Sequence, residues 1–159
     1  MSLSLLFSVI IPAYNTASYI QQTLRSVYRQ MDTDFEIIVI NNGSPDNVAE
    51  ILMQKTAPGL RGITPENGGV SRDRNKGIQV AHGKHLAFLD SDDVWKNKHL
   101  EIVRTIFDAN PNTNWFVTNY HSAHEIDTSL INDQVKGIVN FKAVNWFQEA
   151  SNSPSAQTL

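Results

Sequence analysis

A chain of 159 residues and 17.8 kDa, 41% hydrophobic and 18% charged, fits one folded domain with a sizeable core and excludes a disordered polymer or a disulfide miniprotein. The 13 Lys and Arg against 16 Asp and Glu give a net charge of −3, so no overall basic field draws the chain to nucleic acid, and an acidic ligand has to be held by local groups. The absence of cysteine excludes a thiolate nucleophile and a Cys-ligated zinc, and the longest apolar runs fall far short of the roughly 20 residues that span a bilayer.

Residues 1–6 lack a basic n-region and read as a leader or expression remnant, not as a signal peptide. Phe7–Ile11 is the first strand, stopped by Pro12, and Ile20, Leu24, Val27, Tyr28 and Met31 recur at helical spacing, which predicts an amphipathic helix over Ala17–Gln30. Phe35–Ile40 is nearly continuous in apolar residues, as a central parallel strand covered on both faces would be. After the turn at Asn41-Asn42-Gly43, Ser44 is placed to cap a helix that Pro45 opens and that runs to about Lys55. Gly62–Pro65 is a short extended piece, Val70–Ala81 a helix behind Gly68-Gly69, and Lys84–Leu89 a strand running straight into Asp90-Ser91-Asp92-Asp93. A helix over about Lys98–Ala109 and a strand at Trp115–Thr118 follow. Then come a loop at Asp127–Asp133, a strand at Gly137–Phe141, a short helix at Ala143–Glu149 and a loop at Ser151–Ser155. Alternating strands and helices of this kind make βα units and a largely parallel sheet.

Three polar clusters, Ala13–Asn15, Asn41–Ser44 and Asp90–Asp93, each follow the carboxyl end of a strand. Ligands of open α/β sheets bind outside those ends, so the clusters point to one site. Carboxylates crowded at the end of an apolar strand repel one another unless a cation or hydrogen-bond donors compensate. Mg²⁺ or Mn²⁺, held by one or two carboxylates and sharing a substrate diphosphate, is the simplest compensator. The plain alternative is that Asp92 or Asp93 caps the next helix. His121 and His124, three apart on an extended segment, face opposite ways and do not suit one metal; His82, His85 and His99 read as surface residues.

Four blocks together resemble the family-2 glycosyltransferases of GT-A fold: Ser8–Asn15, Phe35–Ser44, Asn67–Ile78 and Ala87–Trp95, in order over roughly residues 7–110. The resemblance implies a three-layer α/β fold, a mostly parallel twisted sheet with helices on both faces, Rossmann-like, and truncated at its carboxyl end. It divides the chain into a nucleotide-sugar-binding half over 7–120 and the start of an acceptor-side half over 121–159. It implies a nucleotide-sugar donor, commonly a UDP-sugar, a glycan or lipid-linked acceptor, and a divalent metal, Mn²⁺ or Mg²⁺. It also implies cell-envelope polysaccharide synthesis on the cytoplasmic side, with peripheral contact at the inner face of the membrane. By that comparison Pro12, Ala13, Tyr14 and Asn15 lie against the nucleoside with Asn42, Gly43 and Ser44, Arg74 and Asn75 lie near it, Asp90 faces the ribose side, Ser91 belongs to the same nucleotide-sugar site, and Asp92 ligates the metal.

One departure is plain. Where the family usually has an acid in Asp-Asp-Gly-Ser, this chain has Asn41-Asn42-Gly43-Ser44, whose amide carbonyls accept a hydrogen bond without charge assistance. Inverting transfer also needs a carboxylate base for the acceptor hydroxyl. Glu101, Asp108, Glu125, Asp127, Asp133 and Glu149 match no family base motif, so the catalytic base is unassigned. Two other readings compete. One is a module that binds a nucleotide sugar without turning it over. The other is a haloacid-dehalogenase-type phosphatase, whose nucleophile strand Leu86–Val94 also resembles.

Overall fold

The computed structural model describes residues 5–54, 58–65 and 69–118. The β-branched side chains that open the sequence fit a pleated surface buried on both sides, and β1 (Phe7–Ala13) is buried along its whole length. The chain continues through α1 (Ile20–Tyr28), β2 (Phe35–Asn41), α2 (Val48–Gln54), β3 (Leu60–Ile63), α3 (Val70–Val80), β4 (His85–Phe88) and α4 (His99–Ala109). All strand pairings are parallel, in the order β3-β2-β1-β4, so the two apolar runs occupy the sheet centre.

Register identifies the layers. Val39 pairs with Gly62, and a Cβ at Gly62 would touch Leu52 of α2 at 3.5 Å, so α2 covers the Val39 face. Ile38 pairs with Ile10, and Gly77 of α3 lies directly on Ile10, so α3 covers the other face. The sheet is therefore the middle of three layers.

The chain steps from β1 to β2 to β3 in one direction, then crosses back to set β4 on the far side of β1. Strand order reverses between β1 and β4, which opens a crevice at their carboxyl ends. At the opposite end of the sheet a buried polar clip anchors the carboxyl end of α3. Glu36 accepts hydrogen bonds from the Ser8 hydroxyl at 2.7 Å, the His82 N–H at 2.6 Å and Arg61 Nη1 at 3.1 Å. The Gly83 N–H donates to Ser8 Oγ at 2.8 Å. Burial alone would push the Glu36 carboxyl up, but these donors, with His82 Nδ1, outweigh it and hold it below the ordinary carboxylate value.

Some elements depart from the pattern reading. β1 runs through Pro12 to Ala13 because Leu89 N–H, donating to Ile10 O at 3.1 Å, closes the ladder on the β4 side. Residue 12 faces that same side one step further on, so its missing N–H removes no bond. The Ser44 hydroxyl is engaged elsewhere, and Asp46 Oδ1 takes the Val48 N–H at 3.3 Å to start α2. β3 begins at Leu60 because Gly59, at φ 76°, turns the chain and its carbonyl accepts the Ile37 N–H at 2.8 Å. Trp115–Thr118 forms no strand, since no strand among the described residues pairs with it.

Two compact units are separable, Met1–Glu101 and Ile102–Leu159. The first contains the sheet. In the second, the described residues carry the rest of α4 and an edge-on ring pair, Phe107 on Phe116, with centroids 5.1 Å apart. The expected strand at 137–141, helix at 143–149, loops at 127–133 and 151–155, and His121 and His124 lie outside the described residues. Among the described residues no helix is long and apolar enough to cross a membrane.

Candidate functional site

The loops after β1 and β2 are laced together by their own polar groups. Asn42 N–H donates to Ala13 O at 2.9 Å, one step past the ladder. Ser44 N–H donates to Asn41 Oδ1 at 3.0 Å, so the Asn41 side chain closes a turn in which Gly43 stands at φ 65°. Ser44 Oγ in turn accepts the Asn15 N–H at 3.2 Å, and Asp46 Oδ2 accepts the Ala17 N–H at 2.8 Å. Asn15 sits at φ 55°, a left-handed conformation that asparagine tolerates better than most residues.

Between these loops and the start of α3 lies a cavity of about 410 Å³. Pro12, Ala13 and Tyr14 form one wall, Asn42 a second, and Gly69, Val70 and Asp73 a third. Tyr14 is 56% exposed at the opening, whereas Asp73 is 2% exposed. Burial pushes the Asp73 carboxyl up, opposed by the Arg72 guanidinium, and its Oδ1 has no hydrogen-bond partner among the described residues.

The acidic loop after β4 is fixed by α1. Thr23 Oγ1 donates to Ser91 O at 2.8 Å, Ser26 Oγ accepts the Trp95 N–H at 3.1 Å, and Gln30 spans Lys96 O at 2.8 Å and the Leu100 N–H at 2.9 Å. Arg74 Nη2 donates to Asp90 Oδ1 at 2.7 Å, a partly exposed pair that orients more than it stabilises. Asp92 and Asp93 face solvent. Partial desolvation against the loop, then the Asp92 and Asp90 charges, push the Asp93 carboxyl up even though the residue is exposed, so the loop crowds negative charge. That donor set fits a hard divalent cation taken through one or two carboxylates and completed by a phosphate ligand. No closed cage of three His, Cys, Asp or Glu ligands exists among the described residues. Behind the loop His99 stacks on Trp95, centroids 4.3 Å apart, and burial lowers its pKa to about 4. It is packed and neutral, not a surface histidine.

Of the residues expected at the site, Pro12, Ala13, Tyr14 and Asn42 meet at the cavity. Asn15, Gly43 and Ser44 shape its rim loops without lining it. Arg74 and Asp90 pair beside it, and Ser91 is buried with its carbonyl held. Asn75 is exposed and does not line the cavity. Gly69, Val70 and Asp73 line it without having been expected there. The overlooked signal was Asp73 four residues before Gly77, a spacing that puts both on one helix face. They are the two buried residues of α3.

The sequence profile described as glycosyl transferase family 2 matches residues 8–152. The chain is 36% identical over 121 residues to an uncharacterized glycosyltransferase of Rickettsia bellii, covering 76% of this chain and 17% of that protein. It is 40% identical over 99 residues to TuaG of Bacillus subtilis, a glycosyltransferase provisionally assigned to teichuronic acid biosynthesis, covering 60% and 39% respectively. Among solved structures, Staphylococcus aureus TarS 1–349 in complex with UDP-GlcNAc is similar at TM-score 0.63 and 30% identity, over 67% of this chain and 32% of that one. The mannosyltransferase PcManGT of Pyrobaculum calidifontis, solved with GDP-Man and Mn²⁺, shares the fold at TM-score 0.59 and 24% identity, over 66% of this chain and 32% of that one. The chain spans between 17% and 39% of the length of the two curated relatives named.

Proposed function

The chain belongs to glycosyl transferase family 2, and from that membership we propose that it binds a nucleotide-diphosphate sugar, a UDP-sugar first among them, for transfer to a glycan or lipid-linked acceptor in cell-envelope polysaccharide synthesis. The observation that carries this reading is the pairing of a nucleoside-sized cavity with an anchored acidic loop on the two sides of the β1 carboxyl end, where the strand order reverses.

In this reading Pro12 and Ala13 present a flat wall to the nucleoside, Tyr14 covers it, and Asn42 offers an amide to a polar edge. Asn15, Gly43 and Ser44 hold that wall in shape through the Asn15–Ser44 bond. Arg74 fixes the Asp90 carboxylate toward the ribose, and the Thr23 bond to the Ser91 carbonyl sets the direction in which Asp92 projects. Asp92 would hold Mn²⁺ or Mg²⁺, which as a Lewis acid offsets the charge of a departing diphosphate. Ordinary inverting displacement then needs a carboxylate base, and none of the described residues is assigned that task. The work falls at the cytoplasmic face of the membrane, where such donors and lipid-linked acceptors meet.

Substitution of Asp92 by Ala tests the assignment. The affinity gained by UDP on adding Mn²⁺ is expected to fall by about tenfold or more, one charge-assisted contact being worth roughly 1.5–3 kcal/mol. Metal-free binding should remain. An Asp92→Ala variant with full Mn²⁺ dependence would move the metal away from this loop.

A further inference from the structure

A carboxylate oxygen buried without a protein donor costs free energy on the order of 1–3 kcal/mol, and one that lines a cavity is met there by water or by a ligand's donor. Asp73 is such a group: it is 2% exposed, its Oδ1 is unpartnered among the described residues, and it lines the cavity. Its place follows from the helix. Gly77 seats α3 hard against Ile10, and one turn earlier the same face brings Asp73 to the carboxyl end of β1. Beside it, among the described residues, Gly69 has no atom within 4 Å of where a Cβ would stand. The opposite wall carries no anion. Asn41 Oδ1 is used by the Ser44 N–H and Asn42 is an amide, so Asp73 is the one carboxylate among the described lining residues.

We propose that Asp73 reads the nucleobase, accepting the ring N–H of a base that carries one on its pairing edge, uracil or guanine, and disfavouring cytosine and adenine. The last two present a ring-nitrogen lone pair at that position, which a carboxylate, an acceptor with no proton to give, repels. The proposal rests on the reading of this cavity as the nucleoside site. The charge-assisted acceptor that the β2 loop lacks is supplied from the opposite wall by α3. The raised affinity of the buried carboxyl for a proton is consistent with a group that gains from a donor brought by the ligand.

The test is calorimetric titration of the chain with UDP, GDP, CDP and ADP, for the wild type, Asp73→Asn and Asp73→Ala. The N-methylated counterparts of the tighter binder, N3-methyluridine or N1-methylguanosine diphosphate, form the last arm. The wild type is expected to bind UDP or GDP about tenfold tighter than CDP and ADP, and both variants to bring the four within about threefold. Methylating the ring nitrogen should cost the wild type about tenfold and the variants little more than its steric effect. If the variants keep the wild-type preference, or the wild type binds the methylated nucleotide as tightly as its parent, the base-reading role falls while the nucleoside site stands. If the wild type binds no nucleotide, both fall. The methylation arm needs only the wild type, so it decides even where a variant fails to fold.

Discussion

At Gly77 the chain carries no side chain because Ile10 leaves no room for one: a Cβ there would overlap Ile10 Cγ2 and stand 3.2 Å from Cγ1. Ile10 is β-branched, fully buried and locked into the strand ladder, so it has little freedom to yield. Gly77→Ala is therefore expected to lower stability by about 1–3 kcal/mol, read as a shift in the urea midpoint. Displacing α3 from the sheet also moves Asp73, so nucleotide affinity should fall in the variant even where it remains folded. A variant with unchanged midpoint and affinity would show that α3 does not rely on this contact. The same helix marks what the sequence left unreadable. Charged residues on an exposed helix usually face water, and Ser71-Arg72-Asp73-Arg74 offers no apolar stripe to say which of them turns inward. The small residue four places on says so. The Arg74–Asp90 pair has no such local sign, since it joins a helix to a loop across β4.

The elements that carry the site were legible because parallel strands buried on both faces read as continuous apolar runs, and β2 and β1 fall close to where those runs lie. Their ends were less so. Whether β1 passes Pro12 depends on where β4 stops, and whether Ser44 or Asp46 starts α2 depends on Asn15, so both are decided by residues distant in sequence. Trp115–Thr118 is a run of aromatic and β-branched residues, but a strand needs an edge to pair with. The Glu36 clip sets where α3 ends, and its stability contribution has a definite pH dependence. Because the folded Glu36 carboxyl lies below its ordinary value, the native state holds fewer protons in that window than the unfolded chain. The contribution is complete above the unfolded Glu value of about 4.3 and is lost as pH falls through the depressed one. The melting temperature of Glu36→Gln should thus lie below the wild type at pH 7, and the gap should close in acid below about pH 4. A gap that is constant from pH 7 to pH 3 would mean that the clip does not depend on the Glu36 charge.

At the scale of the molecule, 159 residues carry a βα sheet whose reversal between β1 and β4 sets two unlike surfaces side by side. One is a cavity walled by β1, β2 and α3, and the other an anionic loop held by α1 through Thr23, Ser26 and Gln30. The central claim is that these two surfaces bind one ligand, a nucleoside in the first and its diphosphate, through a divalent cation, at the second. Isothermal titration of the chain with UDP and GDP, with and without Mn²⁺, measures that coupling directly. The account predicts binding of at least one of them that tightens by about tenfold or more when Mn²⁺ is added. Failure of both nucleotides to bind in saturating Mn²⁺, or binding that Mn²⁺ leaves unchanged, would contradict it.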